Sequence, residues 1–277
     1  MATVIEHPPH SAPTPLPVSR GAGFGDALRS EWTKLRTVRS TFWSLAVAAV
    51  LGIGLGALIS YAGADHYSHD LGLRLDWNPT DHSLRSLGIA QLAFAVLGVL
   101  IISGEYSSGM IRTSLAAVAR RSRMLAAKLS VFGILALLAG ELIAFATFFL
   151  GQALISGKAP SASISGPHVI RAVVGSGIYL MLLAVLGTAF GTIVRNAAAG
   201  IAAIVALLFV LPGIAYALPT SWQRPIEKYW PTNAGQQFTT VRPEAHMLGP
   251  WSGLAVMVAF VAVALVAAFV MLERRDA

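Results

Sequence analysis

The segment GQALISGKAP, at 151–160, carries the two glycines and the lysine of a phosphate-binding loop. Such a loop needs four residues between its glycines and a Ser or Thr directly after the lysine. Here five residues separate Gly151 from Gly157, and Ala159 follows Lys158. No other stretch has the pattern. We therefore expect no nucleotide site in this chain, and any ATP that drives it must be bound by another chain.

Histidines and aspartates in the polar segment 64–82 are of the types that ligate metals. His66 and His69 stand three residues apart, with Asp65 and Asp70 beside them. No third histidine stands close to this pair in the sequence and no rigid scaffold is evident, so we interpret the segment as a solvated loop and predict no metal site. The chain has no Cys, and its apolar runs lack Ser/His, paired-Asp and HExxH patterns. We predict no catalytic residues.

The composition indicates a membrane protein. Hydrophobic residues make up 55 % of the 277 residues and charged residues only 12 %, against about 25 % charged in soluble domains. A membrane-spanning helix needs about 20 mostly apolar residues. Six runs meet this length, and we predict an all-α polytopic fold with spans at 41–61, 84–103, 129–155, 169–194, 197–217 and 251–272.

The distribution of basic residues predicts the orientation. Of the 20 Lys and Arg residues, 13 lie in segments that are cytoplasmic if the N-terminus is inside. The positive-inside rule then favours cytoplasmic N- and C-termini. This topology accounts for the net charge of +7 without nucleic acid as a partner. Arg outnumbers Lys by 16 to 4, which is typical of a GC-rich bacterial genome, so we predict a bacterial plasma membrane protein.

Two distinct segments precede the first span. Residues 1–23 are rich in proline and predict a disordered cytoplasmic tail. Residues 24–40 predict an amphipathic elbow helix that lies in the inner headgroup layer and contacts membrane lipid. The apolar stripe of this helix has spacings of four, four and three residues and consists of Phe24, Leu28, Trp32 and Leu35.

Polar residues within the predicted spans need partners. Glu141, near the middle of the third span, costs about 2.5–3.5 kcal/mol to insert. We expect it to line the substrate path or the seam between subunits, or else to hydrogen-bond a neighbouring helix. Gln91 is a weaker candidate of the same kind. The GxxxG steps that start at Gly52 and Gly187 either permit close helix packing or are coincidental.

The polar segment 103–129 interrupts the apolar runs. Its sequence predicts that the second span ends near Ser103, that Gly104 and the residues up to Gly109 break the helix, and that a short amphipathic helix follows. A helix of two or three turns is unstable alone, so it needs a packing partner. With the acidic residue Glu105 at its start, the segment suits docking of a soluble protein, although an ordinary positive-inside loop would explain its arginines.

This segment resembles the loop between the second and third spans of permease subunits in type-2 ABC transporters. The resemblance rests on GEYSSGMIRTSLAAVARRSRMLAAKL at 104–129, and it extends to LRSEWTKLRTVRSTFW at 28–43 and YWPTNAGQQFT at 229–239. One departure is the pair Val118-Ala119, where related loops often have a proline before the paired arginines. The helix is therefore expected to continue where relatives turn.

The resemblance implies a permease domain over 24–277 in an exporter. It implies a second permease subunit, the same or a different chain, and cytoplasmic ATPase subunits that hold ATP and Mg²⁺; this chain itself would bind no cofactor. The segment 218–249 would be a re-entrant lid at the outer gate. The residues implied in coupling to the ATPase are Glu105, Gly109, Met110, Ile111, Arg112, Thr113 and Leu115. The alternative is an ATP-independent six-span secondary transporter, or a membrane assembly or immunity factor.

Overall fold

The computed structural model describes residues 23–110 and 121–274, and within them every regular element is helical. Six helices of the described chain are long and apolar enough to cross a membrane, which confirms the predicted all-α, six-span fold class. We call them spans 1 to 6: Thr41–His66, Pro79–Ser107, Arg121–Ile155, Val169–Val194, Ala197–Ala215 and Pro250–Arg274. The predicted tail lies outside the described residues, except for Gly23.

Span 4 is the centre of the bundle. In its most apolar window 72 % of the residues are buried, whereas the value is 17 % for span 1 and 22 % for spans 5 and 6. Spans 2 and 3 pack directly against span 4. The peripheral spans 1, 5 and 6 therefore present most of their surface to lipid or to another protein.

Both GxxxG steps permit close packing between helices of this chain. Gly56 of span 1 faces Thr147 of span 3, where an added Cβ would clash. Gly187 and Gly191 of span 4 face backbone atoms of span 2, next to Ala95 and Val99. Small residues at this spacing let backbones approach each other, so these steps are used inside one subunit.

Spans 2 and 3 differ in length from the prediction. The helix of span 2 continues past Ser103 and Gly104 to Ser107, so Gly104 does not break it. The break lies at Gly109, whose φ of +70° is in the left-handed region that glycine adopts without strain. Span 3 is a continuous helix of 35 residues, which begins before the predicted residue 129 and includes the basic residues from Arg121 onward. At 1.5 Å per residue it is longer than the bilayer core.

The segment between spans 5 and 6 contains two short helices. Thr220–Tyr229 is amphipathic and has no buried residue. Pro231–Gln236 is buried against span 6, where Gly253 packs on the backbone of Ala234. Between these helices the indole of Trp230 donates a hydrogen bond to the carbonyl of Leu207 in span 5, at 3.1 Å. The predicted re-entrant lid lies in this segment, and its depth in a membrane stays a prediction.

The N-terminal helix, Phe24–Thr37, packs at the end of the bundle where span 6 terminates. Its Ala27 belongs to one apolar cluster with Ile102 of span 2, Met124 of span 3 and Leu272 of span 6. The N-terminal helix, the end of span 2, the start of span 3 and the end of span 6 thus lie on one side of the bundle. This arrangement agrees with six crossings and termini on the same side.

Candidate functional site

Four charged side chains form a closed ring on that same side of the bundle. Lys34 Nζ lies 2.7 Å from Glu31 Oε1 and 3.0 Å from Glu105 Oε1. Lys128 Nζ lies 2.8 Å from Glu105 Oε1 and 2.5 Å from Glu31 Oε2. Positive and negative groups alternate, and each contacts two groups of opposite charge. We call these four residues the charged ring.

The charged ring is buried. The side chains of Glu31, Glu105 and Lys128 are 4–7 % exposed, and that of Lys34 is 25 % exposed. A buried charge is tolerated only when it is paired, and here two carboxylates balance two ammonium groups. One buried oxygen of the ring, Glu105 Oε2, has no hydrogen-bond partner among the residues that the structure describes.

The pKa of Lys34 is set by the carboxylates around it. Burial alone would lower this pKa, but the hydrogen bond with Glu31 and the charge of Glu105 outweigh burial and raise it. Lys34 is therefore protonated at neutral pH, as the ion pairs of the ring require.

The charged ring joins three elements, two of which flank the segment 108–120 in the sequence. We call 108–120 the docking segment. Glu31 and Lys34 belong to the N-terminal helix, Glu105 lies in the last turn of span 2, and Lys128 lies near the start of span 3. The chain leaves the ring after Glu105, turns at Gly109 and returns to it at Lys128. Both ends of the intervening segment are thus tied to the N-terminal helix.

Several predicted coupling residues lie outside the described residues: Ile111, Arg112, Thr113 and Leu115. Of the others, Gly109 forms the turn after span 2, and the side chain of Met110 is exposed. Glu105 does not face solvent, because its carboxylate points into the ring. We therefore predict that Glu105 holds the start of the docking segment in place through its ion pairs and does not contact a docked protein itself.

A second set of contacts closes the same side of the bundle. The guanidinium of Arg195, between spans 4 and 5, lies 5.3 Å from the ring centre of Tyr106 in span 2. Arg195 also donates to the carbonyl of Met271, and Arg121 donates to that of Leu272. Cations at a helix C-terminus interact favourably with its unpaired carbonyls, so these arginines hold the end of span 6.

A family model described as "ABC-2 family transporter protein" matches residues 27–220. The chain belongs to the ABC-2 family of transporter proteins. Its six apolar helices are those of a multi-pass permease, and members of this family associate with an ATP-binding subunit. A comparison with curated proteins found no match.

The four residues of the apolar stripe predicted on the N-terminal helix lie in two different environments. Leu28 and Leu35 pack against the apolar clusters of the bundle, whereas Phe24 and Trp32 are exposed. Glu31 lies outside this apolar stripe, yet it is almost fully buried as part of the charged ring. Placement of this helix in the headgroup layer stays a prediction.

The two polar residues predicted inside the spans, Gln91 of span 2 and Glu141 of span 3, both contact span 4. Gln91 is buried, accepts a hydrogen bond from the hydroxyl of Tyr179 at 2.8 Å and donates to the carbonyl of Gly88 at 2.7 Å. Glu141 is half-buried against Gly177, and its Oε2 is buried without a hydrogen-bond partner in the described part of the chain. The side chain of Gln91 therefore has hydrogen-bond partners, whereas Oε2 of Glu141 has none among the described residues.

The histidines in the segment that follows span 1 do not form a metal centre. His66 Nδ1 lies 2.8 Å from the carbonyl of Ala62, and Asp65 pairs with Lys158 at 3.0 Å. Across residues 23–110 and 121–274, no three His, Asp or Glu side chains are grouped to hold a metal ion.

The sequence reasoning missed three members of the charged ring, Glu31, Lys34 and Lys128. A usable signal was present, since Lys128 stands alone in the apolar run LAAKLSVFG and Glu105 stands alone after LGVLIISG. An isolated charge at the edge of an apolar helix needs a partner of opposite sign. Two such charges of opposite sign, at the ends of consecutive spans, predict an ion pair between them.

Proposed function

We propose that this chain is the permease subunit of an ATP-driven exporter in the bacterial plasma membrane, with both termini in the cytoplasm. A separate cytoplasmic ATPase holds ATP and Mg²⁺, and a second permease subunit, the same or a different chain, completes the transporter. The charged ring is the observation that carries the proposal. It fixes both ends of the segment 108–120, the part of the chain that resembles the ATPase-coupling loop of type-2 ABC exporters.

The charged ring supplies a physical route for coupling. The ATPase seats against the segment after Gly109, with Arg112 among its contacts. Displacement of this segment acts on Glu105 and Lys128, which are held to each other and to the N-terminal helix. Spans 2 and 3 and the N-terminal helix then move together. ATP binding shifts the permease between inward-open and outward-open states by binding one state more tightly.

The substrate path of the proposed exporter lies between the two permease subunits. Glu141 suits this seam because its side chain is half-buried on a face where Leu138 and Leu142 are exposed. The exposed part of its side chain would contact a helix of the second subunit or the substrate itself. Exposed Phe24 and Trp32 anchor the N-terminal helix in lipid at the cytoplasmic surface.

Purification of the tagged chain in mild detergent should recover an ATPase with a Walker motif. Transport-coupled ATPase activity of this complex should fall by about tenfold or more in Arg112→Ala, if Arg112 makes a charge-assisted hydrogen bond to the ATPase. Membrane insertion should be unchanged. ATP hydrolysis by the purified complex in lipid nanodiscs measures the effect.

Arg274→Ala is the matched control, because Arg274 is an exposed arginine on the same side of the bundle. It should retain full activity. Repeated recovery of the chain without an ATPase would contradict the proposal and favour the ATP-independent six-span transporter or assembly factor. Equal activity in both variants would remove Arg112 from the coupling role.

A single cysteine at position 113 should be labelled only from the cytoplasmic side. The natural chain has no Cys, so Thr113→Cys gives one reactive thiol. A membrane-impermeant maleimide should modify it in inside-out vesicles and leave it unmodified in intact cells. Labelling in intact cells alone would reverse the proposed orientation.

A further inference from the structure

A cavity of about 750 Å³ opens at the end of the bundle opposite the charged ring. It lies between the loop that follows span 1, the start of span 2, the first half of span 4 and the segment after helix Pro231–Gln236. Its volume is in the range of sites that hold small organic ligands. It lies within one subunit, apart from the path proposed between two permeases.

The hydroxyl groups of the cavity act as acceptors. A hydroxyl has one proton to donate and two lone pairs to offer. Every hydroxyl group in the lining donates its proton to a protein oxygen, at 2.8–3.3 Å; these groups belong to Ser176, Tyr179, Thr239 and Thr240. The hydroxyl oxygen of Tyr179 also accepts a hydrogen bond from the side-chain amide of Gln236, at 3.4 Å. The lone pairs that remain on the other hydroxyl oxygens are suited to a molecule that donates hydrogen bonds.

Charge points to the same class of ligand. Asp81 is satisfied within the protein, because it accepts hydrogen bonds from the backbone of Val241 and the side chain of Asn78, with Arg171 and Arg242 near it. Two other carboxylates line the cavity, those of Asp70 and Asp76, and both are exposed. They outnumber Arg85, the one Lys or Arg that lines the cavity in the described chain.

We propose that this cavity binds a small organic cation that carries several N–H or O–H donors, of the polyamine or amino-sugar kind. The carboxylate of Asp76 pairs with its positive charge, and the hydroxyl oxygens of Thr239 and Thr240 accept from its donors. The inference rests on the proposed function for one point, that the cavity opens outside the cell.

Spermidine is the probe, with succinate as the anion of matched size. Wild-type protein in nanodiscs of zwitterionic lipid should show a saturable rise of the thermal unfolding midpoint with spermidine and none with succinate. Asp76→Asn should weaken spermidine binding by about tenfold, the loss expected for one charge-assisted hydrogen bond. Asp65→Asn, an exposed outer-loop variant outside the cavity, should bind like wild type. Equal responses to both compounds, or equal binding by both variants, would overturn the proposal.

Labelling of a cysteine in the cavity separates this proposal from the proposed function. In intact cells Thr240→Cys should react about tenfold faster with a cationic impermeant thiol reagent than with an anionic one, because the carboxylates concentrate cations. Spermidine should slow the reaction. Ser161→Cys, in the loop after span 3, should show neither preference nor protection. Labelling from outside at equal rates and without protection would refute the cavity site alone, whereas labelling only from inside would also reverse the proposed orientation.

Discussion

Replacement of Lys128 by Met should lower the free energy of unfolding by about 3–5 kcal/mol, the cost of removing one partner from a buried ion pair. The side chain of Lys128 is 4 % exposed, so water does not replace the lost ammonium group. Glu31 and Glu105 would then depend on Lys34 alone. The thermal unfolding midpoint of the purified protein in mild detergent measures this loss.

A second substitution should restore most of the lost stability. Lys128→Met together with Glu105→Gln removes one charge of each sign and leaves the pair between Glu31 and Lys34 at 2.7 Å. Lys158→Met is the matched control, because Lys158 forms an exposed ion pair with Asp65 away from the charged ring. This variant should unfold almost like wild type, since exposed pairs are solvated and screened. Equal midpoints for Lys128→Met and Lys158→Met would show that the charged ring does not support the fold.

The same double variant separates stability from coupling. It folds without the links from the docking segment to the N-terminal helix through Glu105 and Lys128. We therefore expect a stable protein that still binds its ATPase but transports poorly. Transport at the wild-type rate would show that the charged ring serves the fold and does not transmit motion.

Local features of the sequence were sufficient to predict the number and order of the spans and a break in the helix by Gly109, although not the full length of spans 2 and 3. A spanning helix is defined by about 20 consecutive apolar residues, which can be read without knowledge of any distant residue. Span 4 begins and ends at the predicted residues, Val169 and Val194. The turn at Gly109 also depends on one residue, because glycine adopts a positive φ without a steric penalty.

The charged ring and the cavity at the opposite end of the bundle depend on contacts between distant parts of the chain. Glu31 is 97 residues from Lys128, and Lys34 is 71 residues from Glu105. Taken singly, each looks like a surface charge of an amphipathic helix or a topology signal. The cavity similarly combines Asp76 with Tyr179 and Thr240, more than 160 residues apart at the extremes. Only the packing of the spans shows which polar residues share an environment.

Gly98→Ala should lower the free energy of unfolding by about 3 kcal/mol, at the upper end of the usual cost of overpacking. Gly98 of span 2 packs directly on the backbone of span 4. A Cβ at this position would overlap the carbonyl of Ala184 and lie 2.9 Å from the backbone nitrogen of Thr188. A side chain could rotate away from the added methyl group, but a helix backbone cannot, so spans 2 and 4 must separate.

Gly104→Ala is the control, because Gly104 lies in the same helix and an added Cβ would have no atom within 4 Å. Alanine is favoured over glycine in a helix interior by about 1 kcal/mol, so this variant should be as stable as wild type or more so. Thermal unfolding midpoints in one detergent compare the two variants directly. Since span 4 is the most buried span and contacts spans 2, 3, 5 and 6, a wider gap at Gly98 should loosen the whole bundle. Equal midpoints would mean that the two spans separate without cost and that their close packing does not hold the permease together.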